Sequence, residues 1–199
     1  MKKFFGGALL EGKRKTLRPL SSKDAIHFVL RSEFAVGRDS FLARRHQPQV
    51  HRILNHFAKK FGVRIYQMSI NGNHIHLLVR ITSRKLYRAF IKAVAGKIAS
   101  QVMGGRSFSD YFQEKISTNF AKSGRGDGSG GEDKTLGFWQ FRPFSRVVNW
   151  GNDYKGCLNY LKQNTLEAIG FVKYVARKNH YAKWLNGTSS LTTTALDGA

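Results

Sequence analysis

The chain predicts an α+β fold in which helices pack against an antiparallel sheet. Three observations predict it. Short runs rich in β-formers recur along the chain, and two of them flank the tight-turn sequence Asn71-Gly72-Asn73. Between these runs lie segments with apolar residues at helical spacing. At 199 residues and a hydrophobic fraction of 41%, the chain can bury one sizeable core.

Residues 1–22 are basic and turn-rich and read as an arm leading into the domain. Residues 25–31, Ala-Ile-His-Phe-Val-Leu-Arg, read as a strand. A helix is expected over 40–61, with Val50, Ile53, Leu54 and Phe57 on one stripe. Strands at 63–69 and 74–81 form a hairpin about the Asn-Gly-Asn turn. Ser83 can cap a helix over 83–103, where Leu86, Phe90, Val94 and Ile98 recur four apart until Gly104-Gly105 ends it. Residues 123–134 are Gly-rich and acidic and predict a mobile loop inside the domain rather than a boundary. A strand is expected over 138–142, with Val147 and Val148 continuing near it. A helix over 153–166 carries Tyr154, Cys157, Leu158 and Leu161 as its apolar stripe. One domain thus spans 23–185, followed by a coreless tail, 186–199, expected to be disordered.

Charge is the first functional signal. Thirty-four Lys and Arg face 12 acidic residues, a net charge of +22, which points to a polyanionic partner through counterion release. An anionic membrane surface is the competing partner. No apolar run approaches the ~20 residues that span a bilayer. The N-terminal MKKFFGGALLEGKRK is broken by Glu11, so neither a membrane span nor a signal peptide is expected. A single cysteine, Cys157, excludes an internal disulfide and a cysteine-based zinc cage, and fits a reducing, cytoplasmic setting.

Two constellations can carry chemistry. His74 and His76, two apart on a strand, project from one face and can chelate one divalent ion. Such a pair is more often incidental than metallic. Tyr160 and Asn164, four apart, share a face of the late helix. An amide oxygen is a hard ligand that suits Mg²⁺ or Mn²⁺, and a phenol beside such an ion is a competent nucleophile toward phosphorus. On spacing alone, a packed Tyr160 and an Asn164 that caps or turns the helix are the better explanation of the pair. Tyr154 and Tyr174 are rival nucleophiles. His27, His46, His51, His56 and His180 have no partner at ligand spacing, and His180 is better placed for a phosphate.

The string Asn71-Gly72-Asn73-His74-Ile75-His76-Leu77-Leu78-Val79 resembles the histidine–hydrophobe–histidine (HUH) signature of the single-tyrosine transposases, whose common form is close to "PNHxHLLV". Tyr160-Leu161-Lys162-Gln163-Asn164-Thr165-Leu166-Glu167-Ala168-Ile169-Gly170 resembles their nucleophile helix, which in the REP-associated tyrosine transposase branch commonly runs "YIxxNPVRAGL". The element order over residues 20–175 matches as well. Gly72 stands where the family usually has proline, Thr165 replaces the proline after the asparagine, and Glu167 stands where a basic residue is common.

The resemblance implies a ferredoxin-like or RRM-like antiparallel sheet flanked by helices. It implies metal ligands His74, His76 and Asn164, and Tyr160 forming a covalent 5′-phosphotyrosine with release of a 3′-hydroxyl. The implied substrate is single-stranded DNA beside palindromic hairpins, and the implied state a monomer rather than a dimer, working in the bacterial cytoplasm at the nucleoid. Arg14, Lys15 and Arg18 in the arm, with Arg142 and Arg146 near the aromatic segment, are the expected DNA contacts. The alternative is a non-catalytic, domesticated binder of hairpin DNA or RNA with the same fold.

Overall fold

The computed structural model describes residues 4–7, 17–123 and 137–174; Arg14, Lys15, His180, most of the Gly-rich stretch and the expected tail lie outside them. Ten elements follow in order: β1 (Phe4–Phe5), β2 (Ala25–Arg31), α1 (Gln47–Lys60), β3 (Arg64–Ile70), β4 (His74–Arg80), α2 (Arg84–Val102), α3 (Phe108–Ser123), β5 (Phe144–Val148) and α4 (Asn152–Ala168), with a short 3₁₀ helix, Gly37–Asp39, ahead of α1. The sheet runs in the order β1-β5-β2-β4-β3, and every neighbouring pair is antiparallel. Without the short β1 this is the ferredoxin-like βαββαβ order, so the fold class read from the sequence is the one observed.

Both faces of the sheet are covered, which is why β2 runs apolar without alternation. On one face Ile26, Phe28 and Leu30 of β2 and Ile75, Leu77 and Val79 of β4 meet α1 and α2 through Val50, Leu54, Phe90 and Val94. Phe28, fully buried, stands edge-on to Tyr87 at a ring separation of 6.2 Å. Burial of a side chain of that size contributes about 1.5–3 kcal/mol. The opposite face holds a smaller core of Ala25, Leu78, Val148, Cys157 and Leu161, closed by α4. Cys157 is buried there, and burial pushes its thiol up to about 11, which leaves it an inert packing residue.

Three local expectations are corrected, and one helix is new. Helix α1 starts at Gln47, not at residue 40, with a proline in its first turn. Pro48 lacks an N–H and has a fixed φ, which suits a first turn and breaks an interior. The buried stripe of α2 begins at Tyr87, whereas Leu86 is exposed. Residues 138–142 form bends rather than a strand, and Pro143 separates them from β5, where the strand lies. Phe138 instead fills the main core, its carbonyl accepting from Ser32 Oγ (2.5 Å), while the Trp139 indole N–H donates to the Ala95 carbonyl (3.1 Å). Helix α3, unforeseen in the sequence, starts behind Ser107, whose Oγ accepts from the Asp110 N–H (3.2 Å). Its Tyr111 hydroxyl donates to Asp39 Oδ2 (2.9 Å), tying α3 to the 3₁₀ turn.

Candidate active site

The site lies under α4, on the sheet face of the smaller core. Strand alternation points His74, His76, Leu78 and Arg80 to that face, and the β2–β4 register sets Val29 opposite His76 and His27 opposite Leu78. His27 and His76 are therefore diagonal neighbours on the same face. Their rings lie nearly parallel, 5.3 Å apart at 14°, with His27 Nε2 3.0 Å from His76 Nδ1. Both are buried, His76 fully and His27 to 2% exposure. The His74 ring stands 4.9 Å from that of His76 at 80°, and its Nδ1 donates to Asn73 Oδ1 (2.8 Å).

Helix α4 brings the other partners. Its entry is set by Gly151, at φ 93° and ψ −135°, a conformation essentially restricted to glycine. Arg146 of β5, 4% exposed, donates from Nη1 to both carboxylate oxygens of Asp153 (2.7 and 2.9 Å) in the first turn of α4. An acidic residue there also complements the helix dipole. Two turns on, the Tyr160 ring sits edge-on to His76 at 5.7 Å and to His27 at 6.2 Å. Asn164, 7% exposed, follows one turn later, where Thr165 Oγ1 donates to the Met68 carbonyl of β3 (3.4 Å). A small recess between His27, Arg146, Cys157 and Tyr160 continues the site inward.

Burial sets the protonation of this cluster. Desolvation lowers His27 to about 3, helped by the Arg146 charge, and lowers His74 to about 4, helped by Arg31. Both rings are neutral near pH 7, the form that ligates metals. Asn73 Oδ1 can only accept, so His74 carries its proton on Nδ1 and has its lone pair on Nε2. His76 reaches the same tautomer when its Nδ1–H donates to His27 Nε2. Two imidazoles held by their Nδ1 atoms and presenting Nε2 suit a divalent ion. Among the described residues no cluster of three or more His, Cys, Asp and Glu side chains is placed to hold a metal, so a third ligand, were an ion held here, would be of another type. Asn164 is of that type.

The sequence-derived site residues separate into three groups. His74, His76 and Tyr160 come together, with Asn164 a turn away on the buried side of α4. Arg146 is committed to Asp153, Arg18 is half-buried with its Nη1 donating to Ser145 Oγ (2.6 Å), and Arg142 is exposed. Tyr154 packs at the N-terminal end of α4 against Tyr66 and Trp150, and Tyr174 is exposed beyond α4. Sequence reasoning missed His27. Its only signal is its parity on β2, and parity becomes proximity only once the register with β4 is known.

The chain thus combines a ferredoxin-like antiparallel sheet, paired histidines under a tyrosine-bearing helix and a net charge of +22. Residues 21–119 match the family model described as "Transposase IS200 like", and the chain belongs to that family of DNA-transposing proteins. The matched segment runs from ahead of β2 into α3 and includes His27, His74 and His76, whereas Tyr160 and Asn164 lie beyond it. Among solved structures, a REP-associated tyrosine transposase bound to a REP hairpin is 14% identical, with a TM-score of 0.44 over 80% of this chain and 76% of that one. A crystal structure assigned as a transposase from Deinococcus radiodurans R1 is 16% identical, with a TM-score of 0.39 over 76% of this chain and 98% of that one. No curated protein matches the chain. No helix among the described residues is long and apolar enough to cross a membrane.

Proposed function

We propose that the protein is a metal-dependent single-stranded DNA endonuclease and strand transferase acting at hairpin-associated sites, with Tyr160 as its nucleophile. The observation that carries the reading is the Tyr160 ring edge-on to His76, from elements 84 residues apart in sequence. His74, His76 and Asn164 would hold Mg²⁺ or Mn²⁺, and a bound divalent ion supplies polarisation of a phosphate oxygen and stabilisation of the charge that builds there. His27 acts through His76, accepting its Nδ1 proton.

The chain's own residues perform the rest. The Tyr160 oxygen forms a bond to phosphorus and the bond to the 3′ oxygen breaks. The phenol releases its proton as the 3′ oxygen takes one up, leaving a 5′-phosphotyrosine that a 3′-hydroxyl can later attack in reverse. The Arg146–Asp153 pair holds α4 on β5 so that Tyr160 faces the histidines. Exposed Arg142 suits the DNA backbone, as do Arg14 and Lys15 of the arm, and Arg18 would reach it only beside its bond to Ser145. The proposed unit is a monomer at the nucleoid, and a native mass measurement checks its stoichiometry.

The test is incubation with single-stranded hairpin oligonucleotides and Mn²⁺, reading covalent protein–DNA adduct by denaturing electrophoresis. Adduct is expected with the native chain, and Tyr160→Phe should abolish it while retaining DNA binding. Absence of adduct across varied hairpins would refute the enzymatic reading in favour of a non-catalytic hairpin binder.

A further inference from the structure

At the far end of the same sheet face, away from His74, three aromatic side chains meet. Trp150, between β5 and α4, lies 4.8 Å from Tyr154 at 40°, and Tyr66 of β3 stands edge-on to both at 5.6 and 5.7 Å. A β-bulge places Tyr66 there: the β3–β4 register shifts between Ile65 and Gln67. The Trp150 indole N–H donates to the Lys23 carbonyl (2.8 Å), which pins the ring, yet Trp150 remains 46% exposed. The exposed part of the indole is therefore held in a fixed place beside two further rings.

The charges beside it give a second, independent observation. Arg64 and Arg80 are directly opposite each other across β3 and β4, a like-charge pairing that destabilises a sheet unless an anion joins it. Both are exposed, and neither forms an ion pair among the described residues. The Arg64 guanidinium lies over the Tyr66 ring at 5.3 Å, and Arg80 Nε donates to the Ser22 carbonyl (3.2 Å), so both cations are held beside the aromatic group. Four strand residues separate Arg80 from His76, about 13 Å. Six helical residues separate Tyr154 from Tyr160, about 9 Å along α4.

We propose that Trp150, with Tyr66 and Tyr154 behind it, is a stacking platform for an unpaired base flanking the cut, and that Arg64 and Arg80 hold the adjoining phosphates. The occupant is single-stranded DNA leading away from the site, so the inference rests on the proposed function. Aromatic faces stack on any base while cations follow the backbone, so the platform contributes affinity with little sequence preference.

The test measures non-covalent binding, so that it does not depend on cleavage. A Tyr160→Phe background in EDTA is titrated against a labelled hairpin with a single-stranded flank, the same hairpin trimmed blunt, and the RNA counterpart of the flanked form. Adding Trp150→Ala should weaken binding of the flanked DNA by about 5- to 150-fold, the loss of one stacked base, and change the blunt hairpin little. Trp150→Phe should recover most of that loss. Arg64→Ser with Arg80→Ser, both on the surface, should lower the magnitude of the salt slope by about 1.4. Flanked DNA that binds the background protein equally well with the double-arginine and Trp150 variants would overturn the platform and leave the proposed function standing. A background protein that binds no single-stranded or hairpin DNA would overturn both. Equal or tighter binding of the RNA, with the same loss on Trp150→Ala, would overturn the assignment to DNA.

Discussion

Replacing His27 with Phe removes one buried acceptor and keeps a ring of similar shape. In the native protein His27 Nε2 lies 3.0 Å from His76 Nδ1, and both residues are almost fully shielded from water. Near neutral pH His27 holds no second proton, since burial lowers it to about 3. One proton therefore occupies the bond, and on His76 Nδ1 it leaves Nε2 with a lone pair for a metal. With Phe at position 27 that proton loses its acceptor, at a cost of about 1–3 kcal/mol for a buried donor. His76 can escape by moving the proton to Nε2, but then the ligand must be remade whenever metal binds. At 1.4 kcal/mol per decade, the cost corresponds to a metal affinity lower by about 5- to 150-fold, which brackets the roughly 10- to 100-fold loss typical when an outer partner of a ligating histidine is removed. His27→Gln, whose amide oxygen can accept, should recover part of it. The assay is calorimetric titration of Mn²⁺ into Tyr160→Phe protein, with thermal melting as the control for folding. Unchanged Mn²⁺ affinity in a folded His27→Phe protein would refute the reasoning.

Three more outcomes follow from the same geometry. Gly151→Ala should cost about 1–3 kcal/mol in urea melts, because its φ of 93° is strained for any other residue, and adduct yield should fall as α4 is re-aimed. Asp39 accepts from Arg45 Nη2 (2.6 Å) and Tyr111 and pairs with Lys115. Burial opposes ionisation there, but the hydrogen bonds from Lys115 and Tyr111 and the nearby charges outweigh it and hold the carboxyl below its ordinary 3.8. A lowered folded value means stability that is full above about pH 4 and lost as pH falls through that value. Asp39→Asn should cost about 1–3 kcal/mol at neutral pH and flatten the acid limb, read from melts at successive pH values. Tyr160→Phe, beyond abolishing adduct, should leave Mn²⁺ affinity within about twofold, since the ring is not among the proposed ligands.

What the sequence determined by itself is local chemistry. Runs rich in β-formers and the Asn-Gly-Asn turn marked the β3–β4 hairpin, and spacing marked α2 and α4, because those signals depend on neighbours within a few residues. The two halves of the candidate site were placed for the same reason, His74 and His76 on one face by strand parity and Tyr160 and Asn164 by helical spacing, but their roles rested on the family resemblance. Where a local signal was ambiguous, reading failed. The aromatic run at 138–142 has strand composition, but its rings complete the core over α2, and Pro143 shifts the strand on to β5. The apolar stripe of α1 was read correctly, but its start was placed seven residues early, ahead of the proline in its first turn.

Only the tertiary structure decided what meets what. His27 was set aside for want of a partner at ligand spacing, and the β2–β4 register put it against His76. Arg146, a DNA contact by composition, is occupied by Asp153 at the root of α4. Arg64 and Arg80, sixteen residues apart and unremarkable in sequence, face each other across a bulged pair of strands. Register and helix docking follow from packing between residues distant in sequence, so no window along the chain contains them.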